Sequence, residues 1–108
     1  MDGVTVVRMS GRLDGDTSAS ADTWLRALLA RGASSFVLDL TDVAFISSSG
    51  LRVVLGAVKI CSAQGGEVRV AGMSAQVRRV FEIAGFLRFM KTDDTAAAGV
   101  AAIKSARG

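Results

Sequence analysis

The feature that most constrains the fold of this chain is an alternation of short apolar segments with longer segments of helical periodicity. Segments 4–9, 36–40 and 67–71 are short and rich in Val, Leu or Phe, which is typical of strands. Behind each of them, apolar residues recur every three or four positions. Strands that alternate with helices predict an α/β domain, with a central mixed, largely parallel sheet of about four strands packed by about four helices.

Local signals divide the first part of the chain into elements. The first strand is predicted to end at Ser10, before a turn at 11–15, and Asp16 or Thr17 is placed to cap a helix that Gly32 ends. The apolar stripe of that helix contains Ala21, Trp24, Leu25, Leu28 and Leu29. The next strand, 36–40, is almost continuously apolar, so we expect it at the centre of the sheet and covered on both faces.

Turn and cap residues also delimit the later elements. A second helix is predicted at 48–63, where Gln64 and two glycines follow it. Ser74 is placed to cap a third helix, and Gly85 to end it. Residues 86–90 are predicted to form a short strand or an extended segment.

The length of 108 residues fits one domain over 1–108. We expect its core at about 4–90, followed at 93–108 by a separable, alanine-rich tail that favours a helix. The apolar runs are short and broken by charges, so neither a membrane span nor a signal segment is visible. A cytoplasmic location is therefore predicted.

The composition excludes several kinds of chemistry. Cys61 is the one cysteine and the chain has no histidine, which removes disulfides, most zinc sites and His-based catalysis. Asp14, Asp39 and Asp42 offer carboxylates to a metal ion, but turns and strand ends are the more ordinary role for such residues. We expect no cofactor and no enzymatic activity.

The charge pattern does not favour nucleic acid as a partner. The formal net charge is +3, but basic residues are scattered from Arg8 to Arg107 with acidic residues among them. The aromatic residues lie mostly at positions of the apolar periodicity rather than beside a basic tract. Direct nucleic-acid binding and membrane binding are both unexpected.

Three consecutive serines, Ser47 to Ser49, stand with Gly50 where a strand-like run meets the second helix. The first turn of a helix leaves backbone N–H groups unpaired and carries partial positive charge, so it accommodates an anion. A serine there can accept a phosphoryl group, which adds a charge of about −1.5 to −2. The alternative is that these serines only cap the helix.

The helix after the serines is apolar on two sides. One stripe, which we expect to face the core, contains Leu51, Val54, Leu55, Val58 and Cys61. The other stripe contains Val53, Gly56, Ala57 and Ile60, with Arg52 at its flank, where it can pair with a phosphate or simply face solvent. Either this second stripe is an exposed docking surface, or a neighbouring helix covers it.

Taken in order, these features resemble the anti-sigma-factor antagonist family of bacterial STAS domains, over about 4–90. The resemblance rests on the Gly11-Arg12-Leu13-Asp14 sequence with Thr17, the 36–40 strand, the run from Phe45 to Leu51, and the two glycines before 67–71. It implies a single STAS domain without catalytic function. Such a protein binds a partner that is both an anti-sigma factor and a serine kinase, and thereby frees a sigma factor.

The resemblance also implies roles for individual residues. Ser48 takes the place of the family's phosphorylated serine, with Ser49 as the next candidate, and a PP2C-type phosphatase is the implied second partner. Asp14 matches an acidic loop residue that meets the kinase. The predicted partner-binding set is Asp14, Thr17, Ser47, Ser49, Gly50, Arg52, Val53, Gly56, Ala57 and Ile60.

The sequence departs from the family pattern at two points. Ser47 stands where the family has an aspartate directly before the phosphorylated serine. The family also begins with a further strand before the one predicted at 4–9. An uncovered strand edge is a surface for pairing, so weak homodimerisation is an expectation.

Two other functions compete with the phosphorylated switch. A STAS domain can act as a scaffold or assembly subunit without phosphorylation, its serines serving only as caps. An enzyme or nucleotide-binding module is disfavoured, because the chain has no Gly-x-x-x-x-Gly-Lys motif and no base placed to activate a serine.

Overall fold

A computed structural model describes residues 4–31 and 35–106 of the chain. The elements in chain order are β1 (Thr5–Leu13), α1 (Gly15–Ala30), β2 (Ser35–Ile46), α2 (Ser48–Ala63), β3 (Glu67–Ala71), α3 (Ala75–Ala84), a 3₁₀ turn (Leu87–Phe89), β4 (Lys91–Asp93) and α4 (Ala96–Ala106). The sheet has the order β1-β2-β3-β4, and all three pairings are parallel. The α/β class and the central place of β2 are confirmed, and the described strands form a parallel rather than a mixed sheet.

Different helices cover the two faces of the sheet. On one face Phe36 and Leu38 of β2 share a core with Leu25 of α1, Val54 of α2 and Phe81 of α3. Successive side chains of a strand point to opposite faces. Val37, between Phe36 and Leu38, is buried on the opposite face, so the expectation that β2 is covered on both faces is confirmed.

The last helix covers the second face. Ile103 of α4 is buried with Val4, Val37 and Ala71, one residue from each of the first three strands or their start. Because α4 supplies part of this core, the prediction of a separable tail is wrong. No helix in the described ranges is long and apolar enough to cross a membrane.

The first strand is longer than the sequence predicted. It continues through Gly11, which adopts a φ of 78°, and it pairs with β2 as far as Leu13 across two register irregularities, each of which places one extra residue in β2. The predicted turn at 11–15 is therefore wrong, and the helix begins directly after Leu13 and Asp14. Gly32, the predicted end of α1, lies outside the described residues.

The later elements agree better with their local signals. The bounds of α2 and β3 are as predicted, Ser74 caps α3, and Gly85 ends it with a φ of 76°. The segment 86–90 contains a 3₁₀ turn instead of a strand, and β4 lies just beyond it. Within the described part of the chain β1 pairs only with β2, so no strand of that part covers its outer edge.

Candidate functional site

The carboxyl ends of β1 and β2 bring the two candidate loops together. Leu13 and Ile46 are paired at the ends of these parallel strands. One residue further on, the Ser47 N–H donates to the Leu13 carbonyl at 2.8 Å. The first turns of α1 and α2 therefore start side by side, with Asp14 next to the serine run.

A glycine makes this close approach possible. A Cβ on Gly50 would lie 2.7 Å from the Leu13 carbonyl oxygen and 2.8 Å from Ile46 Cγ1, both closer than real contacts allow. Gly50 is itself buried. Its predicted role in partner binding is wrong, because it lies beneath the surface and sets the distance between α2 and the end of β1.

The three serines occupy different positions in the first turn of α2. Ser47 is the N-cap, and its hydroxyl accepts a hydrogen bond from the Gly50 N–H at 3.3 Å. Ser48 is exposed, whereas Ser49 is half-buried. Since the Ser47 hydroxyl is used as a cap, Ser48 offers the most accessible hydroxyl of the three.

Asp14 closes the start of α1 with a reciprocal cap. Its carboxylate accepts from the N–H groups of Asp16 at 3.0 Å and Thr17 at 3.3 Å, and the Thr17 hydroxyl accepts from the Asp14 N–H at 3.0 Å. Asp14, rather than Asp16 or Thr17, is thus the N-cap. Both predicted partner-binding residues, Asp14 and Thr17, border the surface, and the cap fixes their side chains.

Hydrogen bonds from its neighbours stabilise the ionised form of the Asp14 carboxyl group. Desolvation tends to raise the pKa of its carboxyl, but the hydrogen bonds from Arg12 and from the Asp16 and Thr17 backbone bring this pKa below its usual value. Arg12 Nε lies 3.3 Å from the carboxylate. A negative charge therefore persists beside Ser48 over the physiological pH range.

The second apolar side of α2 is covered. Val53 is 8 % exposed and Ala57 4 %, and both belong to the main core, with α1 packed against α2. Gly56 and Ile60 are half-buried. The docking-surface interpretation is wrong for Val53 and Ala57, and coverage by a neighbouring helix is the alternative that the structure adopts.

Two aromatic residues that the sequence did not assign to the site are exposed. Phe45, two residues before Ser47, is 41 % exposed and lies under the Arg12 guanidinium, 4.4 Å from its ring centroid. Trp24 of α1 is 55 % exposed although it falls on the apolar stripe. An aromatic residue close before the serine run was the available signal for Phe45, but β2 is continuously buried up to Leu40 and shows no alternation that would mark Phe45 as exposed.

Other chemistry finds no support in the described part of the chain. No three His, Cys, Asp or Glu residues in it lie close enough together to hold a metal ion. Cys61 is buried, and this burial raises the pKa of its thiol. What the described residues do show is an exposed serine, Ser48, at the start of α2, close to the N-cap Asp14 of α1.

The family model of the STAS domain matches residues 1–99. An anti-sigma F factor antagonist of Paenibacillus polymyxa is 36% identical to the chain over 93 residues, which are 85% of this chain and 80% of that protein.

Solved structures share the fold. A crystal structure from Thermotoga maritima has a TM-score of 0.92 at 24% identity, covering 96% of this chain and 90% of that one. The Bacillus cell fate determinant SpoIIAA, solved in its phosphorylated form, has a TM-score of 0.74 at 23% identity, covering 95% and 93% of the two chains.

Proposed function

The chain belongs to the anti-sigma factor antagonist family of STAS domains, and on this basis we propose that phosphorylation of Ser48 controls its binding to a partner. In its unmodified form it binds an anti-sigma factor that is also a serine kinase, and so frees a sigma factor. The kinase phosphorylates Ser48 and releases the protein, and a PP2C-type phosphatase restores it. The observation that carries this proposal is the exposed Ser48 hydroxyl in the first turn of α2.

The place of Ser48 lets a phosphoryl group change the surface without unfolding the domain. It is the first residue of α2, where the unpaired N–H groups and the helix dipole favour negative charge. A phosphate there carries about −1.5 to −2 charges. Since the Asp14 carboxylate nearby is already paired with Arg12, the phosphate adds an uncompensated negative charge that makes this surface unsuited to an apolar or acidic partner.

The expected effect on binding is large. A dianion that must be desolvated or repelled in an interface costs several kcal/mol, and every ~1.4 kcal/mol is tenfold in affinity. The domain needs no conformational change for this effect. SpoIIAA, which has the same fold, has been solved in phosphorylated and unphosphorylated forms, which supports a fold that tolerates the modification.

The partner surface that we propose surrounds Ser48. Phe45 supplies an exposed apolar ring and Arg12 a cation over it, and Asp14 adds the neighbouring charge. Arg52 is exposed one turn along α2. Of the second stripe of α2, only the half-buried Gly56 and Ile60 remain available for contact, because Val53 and Ala57 are buried.

Intact-mass measurement tests the proposal. The protein is incubated with ATP and the candidate anti-sigma factor kinase from the same organism, beside the variants Ser48→Ala and Ser49→Ala. We expect one added phosphate in the unmodified sequence and in Ser49→Ala, but none in Ser48→Ala, with loss of kinase binding upon modification. Phosphate gain that persists in Ser48→Ala would contradict the assignment.

A second candidate function is a scaffold that works without phosphorylation. It is favoured by Ser47, a neutral N-cap where the family has an aspartate. In that case Ser48→Ala binds its partner as tightly as the unmodified sequence does. The addition of ATP then changes the affinity of neither protein for the partner. The variant Ser47→Asp separates the two functions, because it restores the family charge and should speed phosphorylation only if Ser48 is a substrate.

A further inference from the structure

An apolar socket opens between the end of β2 and α3, a few residues before the serine run. Its volume is about 190 Å³. Ile46 and Val77 are buried and form its base, whereas Ala44, Phe45 and Gln76 are exposed. The full lining is Ala44, Phe45, Ile46, Gln76, Val77 and Val80. The socket therefore adjoins the partner surface proposed above, because Phe45 belongs to both.

The size and the lining of the socket favour a single apolar side chain as its occupant. Sites for small molecules usually have volumes of about 300–1,000 Å³. The socket is smaller than that, and Gln76 is the only side chain of its lining that can form a hydrogen bond. Apolar side chains that fill pockets of this kind are typical anchors of protein interfaces.

The exposed face of α3 extends this apolar surface. Residues 76, 79, 80 and 83 recur at the spacing of one helix face. Ile83 on this face is 76 % exposed, and Phe45 on the side of β2 is the second large apolar side chain at the surface here. Single exposed apolar residues are common, but two of them beside one apolar socket form a patch of the kind that marks an interaction site.

The charge beside the socket is positive. Arg79 lies on the same face of α3, is exposed, and makes no ion pair within the ranges that the structure describes. Arg78 and Glu82 are each two residues from Val80 and so lie on the other side of the helix. A partner surface that complements the socket therefore has carboxylates around an apolar side chain.

We propose that the partner anchors itself on the domain by inserting an apolar side chain, flanked by carboxylates, into this socket. The inference rests on the proposed function, because the partner meant is the anti-sigma factor kinase that acts on Ser48. Ser48 and the socket then have different roles in one interface. The charge at Ser48 decides whether the complex persists, and the socket supplies the affinity that brings the kinase to Ser48.

Blocking the socket tests the proposal. Ala44→Leu fills it from its rim, because Ala44 is exposed and lines it. Ala101→Leu is the matched control, at an exposed position of α4 on the other face of the sheet. Titration calorimetry with the candidate kinase from the same organism, without ATP, gives Kd, and thermal unfolding checks that both variants are folded. We expect Kd to rise about tenfold or more for Ala44→Leu and by less than about twofold for the control.

A second pair of variants changes charge and leaves the socket volume as it is. Arg79→Glu and Arg78→Glu make the same substitution on opposite sides of α3. At an ionic strength of about 0.15 M the Debye length is about 8 Å, so a charge on the far side of the helix is largely screened. We expect Arg79→Glu to raise Kd about fivefold and Arg78→Glu by less than about twofold. Equal effects of the two variants would contradict the predicted carboxylates of the partner.

A phosphorylation assay separates the socket from the role of Ser48. With ATP present, Ala44→Leu should raise the KM of the kinase for the protein about tenfold and leave kcat unchanged, because the turn that carries Ser48 is not altered. Equal Kd values for Ala44→Leu and Ala101→Leu, with phosphate still added to Ser48, would overturn the socket alone. Weaker binding of Ala44→Leu without any phosphate on Ser48 would support the socket and contradict control by phosphorylation.

A second copy of the chain is the alternative occupant. Analytical ultracentrifugation without the kinase compares the unmodified sequence with Ala44→Leu, and we expect the two to sediment alike. A dimer that Ala44→Leu dissociates would show that a second copy fills the socket, and would overturn the proposal. Failure of the unmodified sequence to bind the kinase would contradict both the socket and the proposed function.

Discussion

The two strand-to-helix junctions at the carboxyl edge of the sheet are neighbours in space but differ in how completely their helix ends are capped. At α1, the Asp14 carboxylate accepts two backbone N–H groups and Thr17 returns a hydrogen bond to the Asp14 backbone. At α2, the Ser47 hydroxyl accepts only the Gly50 N–H, at 3.3 Å. The α1 junction thus has a charged N-cap that accepts two backbone N–H groups, and we call it closed. The α2 junction has a neutral N-cap that accepts one, and we call it open.

This difference in capping supports the proposed modification at α2 rather than at α1. No described side chain accepts from the N–H groups of Ser48 or Ser49, which leaves donors in the first turn of α2 for an incoming anion. The Ser47 N–H binds Leu13 at 2.8 Å, so the closed junction supports the open one. The proposed phosphoryl group would therefore meet free N–H donors at α2, while the hydrogen bond from Ser47 to Leu13 holds the backbone in place.

The largest effect that we predict comes from removing the close contact between the junctions. Gly50→Ala would place a Cβ 2.7 Å from the Leu13 carbonyl oxygen. Overpacking of this kind costs about 1–3 kcal/mol. We expect urea unfolding to show this loss, together with weaker partner binding, because α2 must move away from β1.

Gly56→Ala is the matched control in the same helix. A Cβ at Gly56 meets no atom within 4 Å, and alanine is favoured over glycine in a helix interior by about 0.5–1 kcal/mol. This variant should therefore be more stable than the unmodified sequence. An equal loss of stability in the two glycine variants would contradict this explanation. The packing of α2 against the end of β1 would then not depend on the short distance between Gly50 and Leu13.

The sequence predicted those parts of the fold that depend on local signals. Ser47 and Ser74 cap helices where their residue types suggested, and Gly85 ends α3 through its positive φ. These outcomes depend on a few neighbouring residues. The position of the serine turn at the start of α2 was for this reason accessible to sequence reasoning, whereas the exposure of Ser48 comes from the structure.

The errors arose where distant parts of the chain decide. Asp14 caps α1 because β1 continues past Gly11, and that continuation depends on pairing with the second half of β2. For Val53 and Ala57 the sequence left open whether a neighbouring helix covers them, and the structure buries both in the main core, with α1 packed against α2. Helical periodicity identifies an apolar stripe without saying which element covers it.

A second prediction compares the two caps directly. Asp14→Ala removes the acceptor of two N–H groups and the partner of Arg12, whereas Ser47→Ala removes the acceptor of one. We expect Asp14→Ala to lower Tm by about 4–8 °C and Ser47→Ala by roughly half as much or less. Scanning calorimetry of the two variants measures both. A larger fall for Ser47→Ala would show that α2 is the better-capped helix.

The smallest predicted effect is a difference in pH dependence, since only the α1 cap carries a charge. The folded-state pKa of Asp14 lies below the ordinary value of an aspartate, so on acidification the unfolded chain binds protons before the folded one does. Stability that comes from this lowered pKa is present above about pH 4 and is lost as the pH falls through the folded pKa. Asp39, whose pKa is also lowered despite desolvation, by its hydrogen bonds from Thr41 and by Arg8, adds to the same trend.

Asparagine at each cap isolates this effect, because it keeps the capping geometry and removes the titration. The Tm difference between the unmodified protein and Asp14→Asn should be greatest near pH 7 and should shrink as the pH drops below about 4. The difference for Ser47→Asn should stay constant, since neither serine nor asparagine titrates in this range. Ser47→Asp should give α2 the acid sensitivity of α1, because it places a carboxylate at the start of a helix. Thermal unfolding from pH 3 to pH 7 measures all three variants. If the Tm difference for Asp14→Asn does not change with pH, the α1 cap stabilises the helix through its hydrogen bonds alone. The two junctions would then not differ through the charge of Asp14.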